Sequence, residues 1–124
     1  MKKRIIIAED DREQQHIFRI ILEKHGYEVE IFSTAEELIN NEFRTPDLFL
    51  LDKQLGGTDG VQLCLYLKSK GETHTVPVVM ISANPGIGKS SLSAGADGWI
   101  EKPFQMKHLL KVIADLIEKV NGIH

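Results

Sequence analysis

A chain of 124 residues, 42% hydrophobic and 27% charged, has the material for one compact domain with its own core and too little for a second of ordinary size. Its 15 basic and 18 acidic residues leave a formal charge of −3, and the basic residues form no stripe beyond Lys2, Lys3 and Arg4, so direct nucleic-acid binding is unsupported. A single cysteine, Cys64, excludes an internal disulfide, and the five histidines (His16, His25, His74, His108, His124) lack metal-ligand spacing, which sets zinc and redox chemistry aside.

The first apolar run, "IIIA", is too short for a signal peptide or a membrane span, so a soluble cytoplasmic protein with no membrane partner is expected. Arg4–Ala8 is β-branched throughout, as in a parallel strand covered on both faces. "REQQHIFRIILEKHGY" then places Ile17, Ile20 and Ile21 at helical spacing, with Lys24 and His25 in the last turn and Gly26 as the stop. Glu28–Phe32 alternates polar and apolar residues and reads as an outer strand. Ser33 and Thr34 precede "AEELINNEF", where Thr34 and Glu37 have capping-box spacing.

Residues 47–51 form a second buried strand, and Asp59-Gly60 leads into a helix over "VQLCLYLKSKG". Residues 76–81 give a fourth strand with Pro77 near its start, where a missing N–H is tolerated. Gly98–Glu101 is a short fifth strand, and residues 105–120 form an amphipathic closing helix through Leu109, Ile113, Leu116, Ile117 and Val120.

Five strands separated by helical or loop segments predict an α/β fold, a doubly wound parallel sheet with right-handed crossovers. Such sheets gather functional groups at the carboxyl ends of their strands. At those ends stand Glu9 and Asp10, Asp52, Ser82 and Lys102, each directly behind an apolar run. The stretch "LFLLDKQLGGTDG" is the sharpest case, because it carries a carboxylate out of a segment that reads as fully buried, where desolvation penalises charge.

Converging carboxylates repel one another unless a cation sits among them. An octahedral Mg²⁺ with one or two carboxylates, a backbone carbonyl and waters suits that set, particularly when a phosphoryl oxygen completes the shell. Asp52 could then act as a nucleophile toward phosphorus, with Lys102 offsetting charge and Ser82 donating a hydrogen bond.

Four segments in order, "IIIAEDD", "PDLFLLDKQLGGTDG", "VPVVMISA" and "AGADGWIEKPF", resemble the response regulator receiver domain of the CheY-like superfamily over essentially the whole chain. The resemblance implies one receiver domain over residues 1–124, with a flavodoxin-like strand order of 2-1-3-4-5. It further implies that Glu9 and Asp10 bind Mg²⁺, that Asp52 accepts phosphate and touches the metal, and that the Gln54 backbone carbonyl is a further ligand. Ser82 takes the place of the switch hydroxyl and Trp99 that of the switch aromatic. Lys102 is the site lysine, and the peptide before Pro103 is similar to one usually cis in the family. The implied phosphodonor is a histidine kinase or a histidine phosphotransfer protein; the downstream protein partner is unspecified. No enzymatic activity is implied beyond the domain's own phosphorylation and dephosphorylation.

Three departures from that pattern stand out. Gly56 replaces a common proline, Trp99 is larger than the usual tyrosine or phenylalanine, and "NPGIGKSSLSAGADG" has poor helix propensity, which predicts a short or irregular fourth helix. Asp11 and Asp59 read as helix N-caps, Cys64 as a core residue of the third helix, and Lys53 and Asn84 as neighbours of the site. "GIGKS" at Gly86 lacks the upstream glycine of a phosphate-binding loop. The alternative function is a receiver-like module that binds a protein partner without phosphorylation. A phosphatase with an aspartate nucleophile ranks behind it, because Gln54 stands where that pattern has a second acid.

Overall fold

The computed structural model describes residues 2–84 and 86–121, with the side chains of Ile87, Val120 and Asn121 excepted. Pro85 in the segment before the fourth helix, the Val120 position of the closing apolar face, and His124 lie outside the described residues or side chains.

Five strands, β1 (Arg4–Ala8), β2 (Glu28–Phe32), β3 (Leu48–Asp52), β4 (Val78–Ser82) and β5 (Gly98–Glu101), form one parallel sheet in the order β2-β1-β3-β4-β5. The helices are α1 (Arg12–Lys24), α2 (Ala35–Asn40), α3 (Gly60–Lys68), α4 (Ile87–Ser93) and α5 (Met106–Asn121). Because side chains alternate across a strand, β1 sends Ile5 and Ile7 to the layer with Phe18, Leu22, Leu109 and Ile113, and Ile6 and Ala8 to the layer with Leu38, Leu63 and Cys64. This double coverage is why β1, β3 and β4 read as unbroken apolar runs.

Local chemistry accounts for most boundaries. The Asp11 carboxylate accepts the N–H groups of Glu13 and Gln14 at the start of α1, and Asp59 accepts that of Val61 at the start of α3. Thr34 caps α2 through Glu37 N–H, while the Glu37 carboxylate returns to the N–H of Ser33 instead of Thr34. Several boundaries and one face differ from expectation, with β3 starting at Leu48, α3 ending at Lys68 and α5 starting at Met106 among the smaller shifts. α2 stops at Asn40, because Phe43 leaves the helix to pack its ring between Phe32 and Phe49. β4 begins at Val78, because the Val76 N–H is already taken by the Thr73 carbonyl. β3 extends through Asp52, which pairs with Ile81, so the carboxylate belongs to the strand itself. On α1, Phe18 and Leu22 are buried while Ile17 and Ile20 face solvent.

The fourth helix is short, as its composition predicts: seven residues, with no side-chain cap at Gly86. An unforeseen element is a two-stranded antiparallel hairpin, Gln54–Leu55 with Thr58–Asp59, directly after β3. Its two-residue turn has Gly56 at φ +62°, a left-handed conformation in which a side chain is strained. The hairpin closes against the sheet at Gly60, whose N–H donates to the Lys53 carbonyl at 2.6 Å. A Cβ there would lie 2.0 Å from the Asp52 carbonyl oxygen, so only glycine permits this closure.

Candidate functional site

The chain leaves β1 toward β2 on one side, and β3 lies on the other, so the carboxyl ends of β1 and β3 flank a topological switch point where a crevice opens. That crevice is a cavity of about 240 Å³, lined by Glu9, Asp10, Asp52, Gln54, Ser82 and Lys102 together with Asp11, Ala83 and Asn84. Six of the eight residues singled out in sequence for the site therefore meet in one place. The other two, Trp99 and Pro103, stand beside a neighbouring cavity with Phe104 and His108, and the Lys102–Pro103 peptide is cis.

Asp52 is 6% exposed and anchored through both carboxylate oxygens. Oδ1 accepts the Gln54 N–H at 2.8 Å, and Oδ2 accepts from Lys102 Nζ at 2.8 Å. Lys102 reaches the site from the loop after β5 and also approaches Glu9 Oε1 at 3.5 Å. Phe104, two residues on, stacks on Phe18 of α1 with centroids 5.7 Å apart, which ties that loop to the helix leaving β1.

Glu9 is 1% exposed, and its Oε2 accepts the Asp11 N–H at 3.1 Å. Burial, reinforced by hydrogen bonding and charge from Asp52, pushes the Glu9 carboxyl up to about 7 against the opposing pull of the Asp11 N–H and Lys102. For Lys102, burial pulls the ammonium's pKa down, but the hydrogen bond and charge of Asp52, with Glu9 behind them, leave it raised. The ammonium thus serves as the internal counter-ion of two buried acids.

Asp10 lines the same cavity but takes no part in that ion-pair cluster. It is exposed, and its Oδ2 accepts the N–H of Gly56 at the tip of the hairpin, 3.0 Å away. Among the described residues, no three acidic, histidine or cysteine side chains are gathered closely enough to hold a metal ion as they stand. The donor set nevertheless suits a hard cation, since Glu9, Asp10 and Asp52 all offer carboxylate oxygens to the one cavity.

Ser82 is buried at the end of β4, with its Oγ accepting the Asn84 N–H at 3.0 Å, which leaves the hydroxyl proton available to a ligand. Trp99 is 40% exposed, its indole lying over Gly88 of α4. Lys53 turns from the cavity to pair with Asp59 at 3.3 Å. Cys64 is fully buried, and burial pushes its thiol up to about 11. Two contributors escaped sequence reasoning, Gly56 as a backbone donor to Asp10 and Gly60 as the contact behind Asp52. The Asp-Gly pair before α3 was the available signal for the second; no side chain marks the first.

The response regulator receiver domain model matches residues 5–114. The phosphate regulon transcriptional regulatory protein PhoB of Escherichia coli is 33% identical over 98% of the chain, and the match spans 54% of PhoB, so the chain covers about half the length of the curated relatives it matches. A CheY-like receiver domain protein from Methanospirillum hungatei shares the fold with a TM-score of 0.88, 32% identity and 98% coverage of both chains. The receiver domain of sensor histidine kinase PA1611 from Pseudomonas aeruginosa, which holds a magnesium ion in its active site cleft, shares the fold with a TM-score of 0.85 at 23% identity, over 94% of this chain and 98% of that one.

Proposed function

The chain belongs to the response regulator receiver domain family, and from that membership we propose that Asp52 accepts a phosphoryl group from a histidine kinase or a histidine phosphotransfer protein. The observation that carries this reading is the anchoring of Asp52. A buried carboxylate is fixed at the tip of the central strand by a lysine and a backbone N–H, at the mouth of a cavity lined by further acids.

In the step itself, an Asp52 oxygen forms the new bond to phosphorus while the bond from phosphorus to the donor's imidazole nitrogen breaks, and the imidazole leaves with the electron pair. Glu9, Asp10, Asp52 and the Gln54 backbone carbonyl would hold Mg²⁺, whose charge offsets that of the phosphoryl oxygens. Lys102 stabilises charge on the same group, and Ser82 donates its hydroxyl proton to a phosphoryl oxygen. The reverse fate is hydrolysis of the acylphosphate in the same cavity, so the chain acts chemically on itself alone.

The output is a changed protein-binding surface, with Ser82 and Trp99 as the residues that relay the added charge. This reading treats residues 1–124 as one receiver domain working in the cytoplasm. Among the described residues no helix is long and apolar enough to cross a membrane.

The test is intact-mass spectrometry after incubation with a small acylphosphate and Mg²⁺. The expected result is a single phosphoryl adduct that disappears in Asp52→Asn and in the presence of a chelator. A folded protein that forms no adduct would instead be a binding module independent of phosphorylation.

A further inference from the structure

We propose that the backbone N–H of Gly56 is a latch on Asp10, holding this carboxylate away from the other acids so that a divalent cation must break the contact to bind. The inference rests on reading the cavity as a Mg²⁺ site and adds a positioning residue to it.

Three observations carry it. The Asp10 Oδ2 accepts the Gly56 N–H at 3.0 Å, across 46 residues of sequence, and its side chain is otherwise exposed. Glu9 and Lys102 draw their charged partners from each other and from Asp52. Among the described residues no three acids meet at one point, although Glu9, Asp10 and Asp52 line the same cavity. One carboxylate must therefore move before the set can share an ion. Each of the three accepts a backbone N–H, Glu9 from Asp11 and Asp52 from Gln54, but these donors lie within two residues of their acceptors and both acids also meet Lys102, whereas Asp10 takes its donor from a distant segment and makes no ion pair with Lys102.

The donor is firmly held. Gly56 sits at the tip of a hairpin whose strands are paired through Gln54 with Asp59 and Leu55 with Thr58. Thr58 Oγ1 donates to Glu36 on α2 at 3.0 Å, and Lys53 pairs with Asp59, so the hairpin is braced on both sides. The positive φ of Gly56 fixes the direction of its N–H toward the end of β1. A carboxylate accepting this N–H gains a hydrogen bond that the cation has to replace, which lowers metal affinity by roughly three- to ten-fold.

The experiment follows the Gly56 amide by ¹H–¹⁵N correlation NMR, with calorimetric Mg²⁺ titration of the same samples. In metal-free protein the Gly56 amide proton should resonate downfield, and Asp10→Ala should move it upfield. Saturating Mg²⁺ should move the wild-type amide in the same direction, and a chelator should restore it. If calorimetry shows Mg²⁺ binding while the Gly56 amide stays at its metal-free position, the latch is wrong and the metal reading survives. If wild-type protein binds no Mg²⁺, the metal reading falls and takes the latch with it.

Discussion

A lysine–aspartate pair stands at each end of this sheet, with the same Nζ···Oδ2 separation of 2.8 Å. At the amino end, Lys68 joins Asp97, and each partner also has backbone to satisfy it. Lys68 Nζ donates to the Val76 carbonyl at 2.9 Å, and Asp97 Oδ2 accepts the Val78 N–H at 2.8 Å. The pair pins the end of α3 to the segments entering β4 and β5. At the carboxyl end, Lys102 joins Asp52, and the next group within reach of the ammonium is Glu9, a second buried acid. In the first pair, backbone groups hold both partners and no second acid approaches the ammonium. The second is a lone cation shared by two acids, and it gains from any further positive charge. Its surroundings, more than its geometry, mark a charged pair as a site.

The largest effect expected from this contrast is kinetic. Lys102→Ala should slow acylphosphate-driven adduct formation by about 10²-fold or more, because it removes the cation that faces the developing charge. Lys68→Ala should leave that rate unchanged; a comparable loss there would break the distinction.

Stability should show the opposite order. Asp97→Ala strands the Val78 N–H and the Lys68 ammonium, and should cost about 1–2 kcal/mol in urea denaturation. Asp52→Asn keeps an acceptor for Gln54 N–H and relieves Glu9 of an adjacent negative charge, so its cost should stay below about 1 kcal/mol.

The smallest effect is a slope with pH. Glu9 holds its proton up to about 7 in the folded chain, whereas an unperturbed carboxyl releases it near 4.5. The folded state therefore binds the extra proton between those values. This contribution is complete below about pH 4.5 and is lost as pH rises through 7. With chelator present, stability measured from pH 5 to 8 should decline by at most about 1 kcal/mol per pH unit from this source, and Glu9→Gln should flatten the decline.

The parts of the molecule that were legible in the sequence are those written in side chains. Unbroken apolar runs in β1, β3 and β4 announced strands buried on both faces, and the polar residues behind them announced the cavity. Asp11 and Asp59 were recognisable as caps because a short carboxylate before a helix has few other uses. What escaped was decided by backbone or by tertiary contact. The hairpin pairs only two residues on each side, too few for a periodic pattern to show. Phe43 has the composition of a helix end but finds two aromatic partners outside α2. The partner of Asp10 is an N–H on a residue with no side chain, and no reading of residue types could locate it.

Trp99 is the chain's single tryptophan, and its indole lies over Gly88, so close that a Cβ there would be 2.8 Å from the ring. The protein thereby carries its own optical probe at the boundary between β5 and α4. Emission wavelength and quenching by a soluble collider report how the indole sits on that helix, without a label and without a background from other tryptophans. Under the relay role proposed for Trp99, changes at the phosphorylation cavity are expected to appear in that emission, in unmodified protein and in real time.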